Sequence, residues 1–325
     1  MTTRKIAVLG AGSWGTALAN LAARRGASVA LWARDADHVA EMRATRENAR
    51  RLPGVRLADG LTPTTDLAEA VRADVVLAVV PAQAMRETAR KLADVLTPGV
   101  SVVACAKGIE RGSGAFMSEI FTAELPRAPY AILSGPSFAE DVGKGLPTAV
   151  TLAAHDLALA EKLARMLAAP WFRLYHSNDV RGVEIGGAAK NVLAIASGIA
   201  AGRGLGASAG AALVARGFAE LSRFGRAYEA RPETLMGLSG LGDLVLTCGS
   251  AQSRNFALGL SLGRGETPQG KLAEGAFTAS VLVEKARAAR VEMPISAAVD
   301  AVLAGRLDVA GAIEALLSRP SKAEI

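Results

Sequence analysis

Cysteine is nearly missing from this sequence. Cys105 and Cys248 are the only two in 325 residues. Their wide separation offers neither a disulfide framework nor a metal-binding spacing, so both read as small buried hydrophobes and no metal is expected. Aromatic residues make up only 4%, and basic residues are scattered among acidic ones without any block of like charge. The net charge of +6 and the isoelectric point near 9.6 therefore point to small anionic ligands rather than to nucleic acid or a membrane surface. The arginine-rich stretch from Glu41 to Arg51 reads as a solvated helix face. No run approaches about 20 apolar residues free of charge, which argues against a membrane span, and the first residues enter a strand without the apolar core and cleavage site of a signal peptide. A cytoplasmic location is the expectation. Repeats and low-complexity tracts are also absent, and a hydrophobic content of 50% can fill the cores of about two domains in a chain of this length.

What is present is organised around the first strand and the turn behind it. Lys5-Ile6-Ala7-Val8-Leu9 runs into Gly10-Ala11-Gly12-Ser13-Trp14-Gly15, and an alanine-rich helix follows through Ala23. A G-x-G-x-x-G placed between strand and helix is the dinucleotide fingerprint in its required setting. Gly10 serves the tight turn, Gly12 the approach of backbone to a pyrophosphate, and Gly15 the packing of helix on strand. The helix N-terminus supplies N–H groups and a partial positive charge for that pyrophosphate.

Strand and helix then alternate. Ala27 to Trp32 forms a second strand, and the residues after it choose the cofactor. A carboxylate there binds the ribose hydroxyls of NADH, whereas an arginine accommodates the 2′-phosphate of NADPH. Both are present as Arg34 and Asp35; Arg34 stands first and favours NADPH, with NADH tolerated. A helix is expected from Ala36 to Arg51, short strand pieces from Val55 to Thr65, and a helix capped by Asp66. Asp74 to Val80 and Val100 to Cys105 are β-branched runs of the kind buried on both faces of a parallel sheet. Lys107 stands beyond the carboxyl end of the second run, where ligands of open α/β sheets lie. The strand from Tyr130 to Leu133 leads to a turn segment, Ser134-Gly135-Pro136-Ser137-Phe138-Ala139-Glu140-Asp141, in the same position. Thr148 to Ala153 and Phe172 to Tyr175 read as two last strands flanking a helix from Leu157 to Leu167.

Near Val180 the alternation ends. From there the pattern is helical, with glycine and alanine so frequent that the helices must pack very closely. The expected architecture is an α/β Rossmann-type N-terminal domain, residues 1–180, which binds the dinucleotide, followed by an all-α C-terminal domain, residues 181–325, which binds substrate and carries the chemistry. Four features of the second half look chemical. Lys190-Asn191 interrupts an apolar helix, and a desolvated lysine near other cations can be tuned for proton transfer. Asp243 lies in the apolar, glycine-flanked segment Gly240 to Cys248. Ser253-Arg254-Asn255 could grip a phosphate from three sides, and Lys271-Leu272-Ala273-Glu274-Gly275 completes the set. Read singly, Asp243 could equally cap a helix and Arg254 pair with a surface carboxylate.

Together these segments resemble the NAD(P)-dependent glycerol-3-phosphate dehydrogenase family of the bacterial type, over nearly the whole chain. The resemblance rests on Gly10 through Ala17, Ala106 through Glu110, Ser134 through Ala139, Glu184 through Asn191, Gly240 through Cys248, Ser253 through Asn255, and Glu274-Gly275. Gly249, where the family usually has threonine, and Leu272, where valine is commoner, are slight departures. The resemblance implies reversible hydride transfer between NAD(P)H and dihydroxyacetone phosphate, giving sn-glycerol 3-phosphate, the backbone precursor of phospholipids. It implies Lys190 as proton donor and acceptor, Lys107 in contact with substrate and cofactor, and Asp243 and Asn191 orienting the reacting groups. Gly135, Ser137, Ser253, Arg254 and Asn255 would bind the substrate, the last two through its phosphate. Gly10, Gly12, Ser13, Trp14, Gly15, Arg34, Ala139, Arg254, Leu272 and Glu274 would line the cofactor. The expected partner is thus a small phosphorylated substrate; a homodimer is compatible with the sequence, which does not fix the number of subunits. A dehydrogenase of the 3-hydroxyacid or 6-phosphogluconate kind shares the architecture but does not call for Ser253-Arg254-Asn255 after Gly242-Asp243. A nucleotide-sensing regulator without turnover would have no use for Lys107, Lys190 and Asp243 together.

Overall fold

The computed structural model describes residues 3–267 and 273–320. The chain divides into two compact units, Met1–Lys107 with Ala115–Glu184, and Gly108–Gly114 with Ile185–Ile325. The division after Glu184 lies about one helical turn beyond residue 180, and Val180 and Val183 are buried in the core of the first unit. The short segment after Lys107 groups with the second unit.

The first unit contains β1 (Lys5–Leu9), α1 (Ser13–Arg24), β2 (Ser28–Trp32), α2 (Ala36–Thr45), β3 (Glu47–Asn48), β4 (Leu52–Arg56), β5 (Leu61–Thr64) and α3 (Leu67–Ala70). It continues with β6 (Val75–Ala78), α4 (Met85–Val95), β7 (Ser101–Ala104), α5 (Met117–Glu124), β8 (Tyr130–Ser134), α6 (Ala139–Lys144), β9 (Thr148–Ala153), α7 (Leu157–Leu167) and β10 (Phe172–Ser177). Eight strands form one sheet in the order β10-β9-β8-β7-β6-β1-β2-β5. Every neighbouring pair is parallel except β8 with β9. The period of two along a strand sends alternate side chains to opposite faces, and both faces are covered. Ile6 and Val8 of β1, with Val75 and Leu77 of β6, enter one core. Ala7 and Leu9, with Val76 and Ala78, enter the other. Parallel alignment of β1, β2, β6, β7 and β8 places Gly10, Arg34, Val79, Lys107 and Gly135 along one edge of the sheet, just past the strands' carboxyl ends.

Two local readings need correction. The helix expected to reach Arg51 stops at Thr45. Arg46 takes a left-handed conformation with φ 54°, and its guanidinium donates to the carbonyls of Leu57, Ala58 and Leu61. These long-range bonds turn the chain into β3, which pairs antiparallel with β4. Arg46 is thus a tertiary clamp and no part of a solvated helix face. The segment after Ser137, read as a turn, instead forms α6.

The second unit is helical: α8 (Val180–Gly202, whose first turn belongs to the first unit), α9 (Gly206–Ala227), α10 (Pro232–Met236), α11 (Asp243–Cys248), α12 (Arg254–Gly263), α13 (Glu274–Ala288), α14 (Pro294–Leu303) and α15 (Val309–Leu317). A π-type turn over Leu238–Gly242 runs directly into α11; such turns recur at functional sites. By length and hydropathy α8 could cross a membrane, yet 89% of its most apolar window is buried inside the protein. Glycine makes that burial dense. A Cβ on Gly198 would stand 2.1 Å from the Phe256 carbonyl oxygen of α12, a contact that only a missing side chain permits.

Candidate functional site

In the first unit the glycine turn has the geometry of an anion cradle. Gly10 has φ +113°, and a Cβ there would lie 2.5 Å from the Val79 carbonyl oxygen. Gly15 is crowded by the turn itself, since its Cβ would come within 1.9 Å of the Gly10 oxygen. Gly12 differs: its backbone is extended, with φ −75° and ψ 178°, and an added Cβ would meet nothing within 4 Å. No protein neighbour requires glycine at that position. The open space lies at the N-terminus of α1, where no side chain caps the helix and no acidic residue occupies the first turn. Unclaimed N–H groups and a partial positive charge suit a pyrophosphate, so the turn fits a dinucleotide.

The flanking side chains are turned toward protein. Ser13 Oγ donates to the Arg51 carbonyl at 2.6 Å, and Trp14 packs tilted on Phe172 with ring centroids 6.5 Å apart. What these two residues offer a ligand is the backbone of the first helical turn. After β2, Arg34 is exposed, while Asp35 is the N-cap of α2 and accepts from the His38 N–H at 3.0 Å. Arg50 Nη1 lies 3.5 Å from the same carboxylate. The His38 N–H first, and then the Arg50 cation, hold the Asp35 carboxyl below its usual range. Lys107 Nζ donates to the Gly135 carbonyl at 2.7 Å, and Ser137 Oγ donates to the same oxygen at 3.0 Å. Three expected substrate residues therefore meet at one carbonyl. Ala139 opens α6.

In the second unit, Lys190 Nζ of α8 lies 2.8 Å from Asp243 Oδ1 and 2.8 Å from Thr247 Oγ1 of α11. Thr247 also donates to Asp243 Oδ1 at 3.2 Å. The Lys190 and Asp243 side chains are only 8% and 1% exposed. Asn191 Oδ1 accepts from Asn255 Nδ2 at 2.9 Å, and Asn255 Oδ1 accepts from the Gly275 N–H at 2.8 Å. The Asn255 amide thereby holds Asn191 and Gly275 through its oxygen and one of its two N–H groups. The Ser253 hydroxyl is the N-cap of α12, accepting from Phe256 N–H and keeping its own O–H as a donor. Arg254, the first residue of that helix, is exposed, and with the backbone of the first turn it suits an anion. Glu274 begins α13; Leu272 lies outside the described residues. Thr247 is the member of this cluster that sequence reasoning missed. Its signal was available, since Asp243 and Thr247 stand four apart on one face of a helix.

Residues 5–160 match the family model described as the N-terminus of NAD-dependent glycerol-3-phosphate dehydrogenase, and residues 179–314 match the one for its C-terminus. The chain belongs to this family. A glycerol-3-phosphate dehydrogenase [NAD(P)+] of Azorhizobium caulinodans is 67% identical over 322 residues, 98% of each chain. One from Beijerinckia indica is 62% identical over 99% of this chain and 98% of its own. The crystal structure of the glycerol-3-phosphate dehydrogenase of Coxiella burnetii superposes with a TM-score of 0.93 at 39% identity, covering 98% of this chain and 99% of that one.

Within this member of the glycerol-3-phosphate dehydrogenase family, both thiols are kept protonated. Burial raises the Cys105 thiol strongly and pushes Cys248 up to about 11, Lys190 tempering the second shift. Glu184, in a segment that carried the family resemblance, is a buried carboxyl that accepts from Ser118 N–H at 2.7 Å and Ser118 Oγ at 2.8 Å. Arg181 stands 3.6 Å away, its guanidinium lying over the Phe116 ring. Burial outweighs these partners and pushes Glu184 up to about 7.

Proposed function

We propose that the buried Lys190–Asp243–Thr247 cluster is the proton-transfer site for reversible reduction of dihydroxyacetone phosphate to sn-glycerol 3-phosphate, the precursor of the glycerophospholipid backbone. The bound nicotinamide cofactor supplies or accepts the hydride. Carbonyl reduction develops negative charge on oxygen, and the Lys190 ammonium can both stabilise that charge and deliver the proton; in the reverse direction its amine takes the hydroxyl proton. Asp243 and Thr247, each 2.8 Å from Lys190 Nζ, fix where the ammonium points. The observation that carries the reading is this pair's burial: a lysine this deep is held by a carboxylate and a hydroxyl, at a cost in desolvation that a merely structural position would not require. Asn191, next to Lys190 on α8, is held by Asn255, and Arg254 at the N-terminus of α12 suits the substrate phosphate.

The first unit holds the dinucleotide on the turn from Gly10 to Gly15, with Lys107 and Ser137 ordering the Gly135 carbonyl. NADPH is the favoured cofactor in this reading. Arg34 is exposed and available to a 2′-phosphate, whereas Asp35, which would read ribose hydroxyls, is engaged as the cap of α2. The direct test is oxidation of NADPH and of NADH with dihydroxyacetone phosphate, set beside 3-hydroxyacids and 6-phosphogluconate with the oxidised cofactors. Turnover confined to the triose phosphate supports the reading; turnover on a hydroxyacid, or none on any substrate, contradicts it.

A further inference from the structure

A buried chain of hydrogen bonds runs behind the glycine turn of the first unit. Asn48, the last residue of β3, is fully buried. Its amide nitrogen donates to the Ala11 carbonyl at 3.0 Å and to the Thr16 hydroxyl at 2.7 Å. Thr16 Oγ1 in turn donates to the Gly12 carbonyl at 2.9 Å, the oxygen that also accepts the Thr16 backbone N–H. On the other side, Asn48 Oδ1 meets His38 Nε2 at 2.8 Å. A carbonyl can only accept, so the amide nitrogen must face Ala11 and Oδ1 must face the ring. His38 Nε2 is therefore the donor in that bond. The His38 backbone N–H is the one bonded to Asp35 Oδ1. One unbroken path thus joins the corner after β2, where Arg34 stands, to the peptide units on either side of Gly12.

The same hairpin is tied to α1 elsewhere. Ser13 Oγ donates to Arg51, and Asn20 both donates to the Arg56 carbonyl at 2.9 Å and accepts from Ala58 N–H at 2.8 Å. A buried amide is costly unless its hydrogen bonds are made, and the two that Asn48 donates both end at the turn. We infer that Asn48 is a positioning residue for the dinucleotide: it fixes the Ala11 and Gly12 peptide planes so that the first-turn N–H groups of α1 converge on the pyrophosphate, and through His38 it couples that turn to the corner facing the adenosine ribose. The inference rests on the reading of Gly10 to Gly15 as the cofactor turn.

The test uses the full chain carrying Asn48→Asp or Thr16→Val, with NADPH and NADH titrated by fluorescence and KM measured for each substrate. Asn48→Asp keeps the shape and the acceptor facing His38 but sets a carboxylate oxygen against the Ala11 carbonyl. The Kd of both dinucleotides should rise together by about tenfold or more, since both carry the pyrophosphate. KM for dihydroxyacetone phosphate at saturating NADPH should shift by less than about threefold. Thr16→Val should move the dinucleotide Kd in the same direction by a smaller factor. A folded Asn48→Asp variant with unchanged dinucleotide Kd and a lowered Tm overturns the inference in favour of a structural role. An equal rise in the KM of the phosphate substrate overturns it as well. Should Asn48→Asp fail to fold, Thr16→Val decides, and an unchanged Kd there overturns the inference. Wild-type protein that binds no dinucleotide refutes the cofactor turn itself, a result distinct from wild-type binding that the variants leave intact.

Discussion

Replacing Lys190 by methionine removes a cation and keeps most of the stem, so the response separates charge from packing. In the folded protein the ammonium stands 2.8 Å from Asp243 Oδ1, with the two side chains 8% and 1% exposed. Lys190→Met leaves the Asp243 carboxylate buried without that ammonium, the Thr247 hydroxyl remaining at 3.2 Å. Breaking one partner of a buried pair costs about 3–5 kcal/mol, a large part of a typical domain's stability of about 5–15 kcal/mol. Lost activity alone would then confuse chemistry with unfolding. Neutralising the second partner resolves this: in Lys190→Met with Asp243→Asn no buried charge is stranded, and most of the lost stability should return as a coupling energy. Turnover should not return, because the general acid, worth about two to four orders of magnitude, is absent from both variants. Urea unfolding supplies the stabilities, and initial rates of NADPH oxidation with dihydroxyacetone phosphate supply the turnover. A single variant that keeps about a tenth of wild-type turnover would remove Lys190 from the proton step. A double variant as unstable as the single one would show that charge pairing does not hold Lys190 and Asp243 in place.

Much of this was legible in the chain, and the reasons differ by element. The strands β1, β6 and β7 stood out because each is buried on both faces and so reads as an unbroken apolar run. The glycine turn stood out because Gly10 and Gly15 answer steric demands of the turn itself, while Gly12 borders open space at the N-terminus of α1. Lys190 and Asp243 were visible as charges in apolar surroundings, where a charge requires a partner. What escaped was set at long range. The end of α2 is fixed by Arg46 binding carbonyls 11 to 15 residues further on, and no local residue announces it. The antiparallel step between β8 and β9 is likewise decided by the sheet as a whole. Thr247 was passed over because a helical threonine looks like surface until its neighbour at i−4 is known to be a buried acid. The bonds of Asn255 to Asn191 and Gly275 join residues 64 and 20 apart in sequence, so no local pattern announces them. The hydropathy of α8 would mislead in the other direction, toward a membrane, were Lys190 and its glycines not read with it.

Three further outcomes are expected. Arg34→Ala should raise KM for NADPH by about tenfold or more, the worth of one phosphate contact, and leave NADH nearly unchanged; steady-state kinetics with both cofactors decide, and a parallel shift in both would assign the reading to a backbone group or to Asp35. Arg254→Ala should raise KM for dihydroxyacetone phosphate by roughly ten- to a hundredfold, because a charge-assisted contact is worth about 1.5–3 kcal/mol; unaltered KM would mean the phosphate sits elsewhere. Glu184→Gln concerns stability and pH. The folded protein holds this carboxyl at about 7, against an ordinary value of 4.5, because burial opposes its ionisation. Between those two values the folded state binds more protons than the unfolded one, so the Glu184 contribution is favourable below about pH 4.5 and is lost as pH rises through about 7, at a cost of roughly 3 kcal/mol. Glutamine cannot ionise and still offers an acceptor to the Ser118 N–H, so the Tm of Glu184→Gln relative to wild type should climb from pH 5 to pH 8. A difference in Tm that stays level across that interval would show that Glu184 does not titrate there, and that Ser118 and Arg181 hold its charge more tightly than burial resists it.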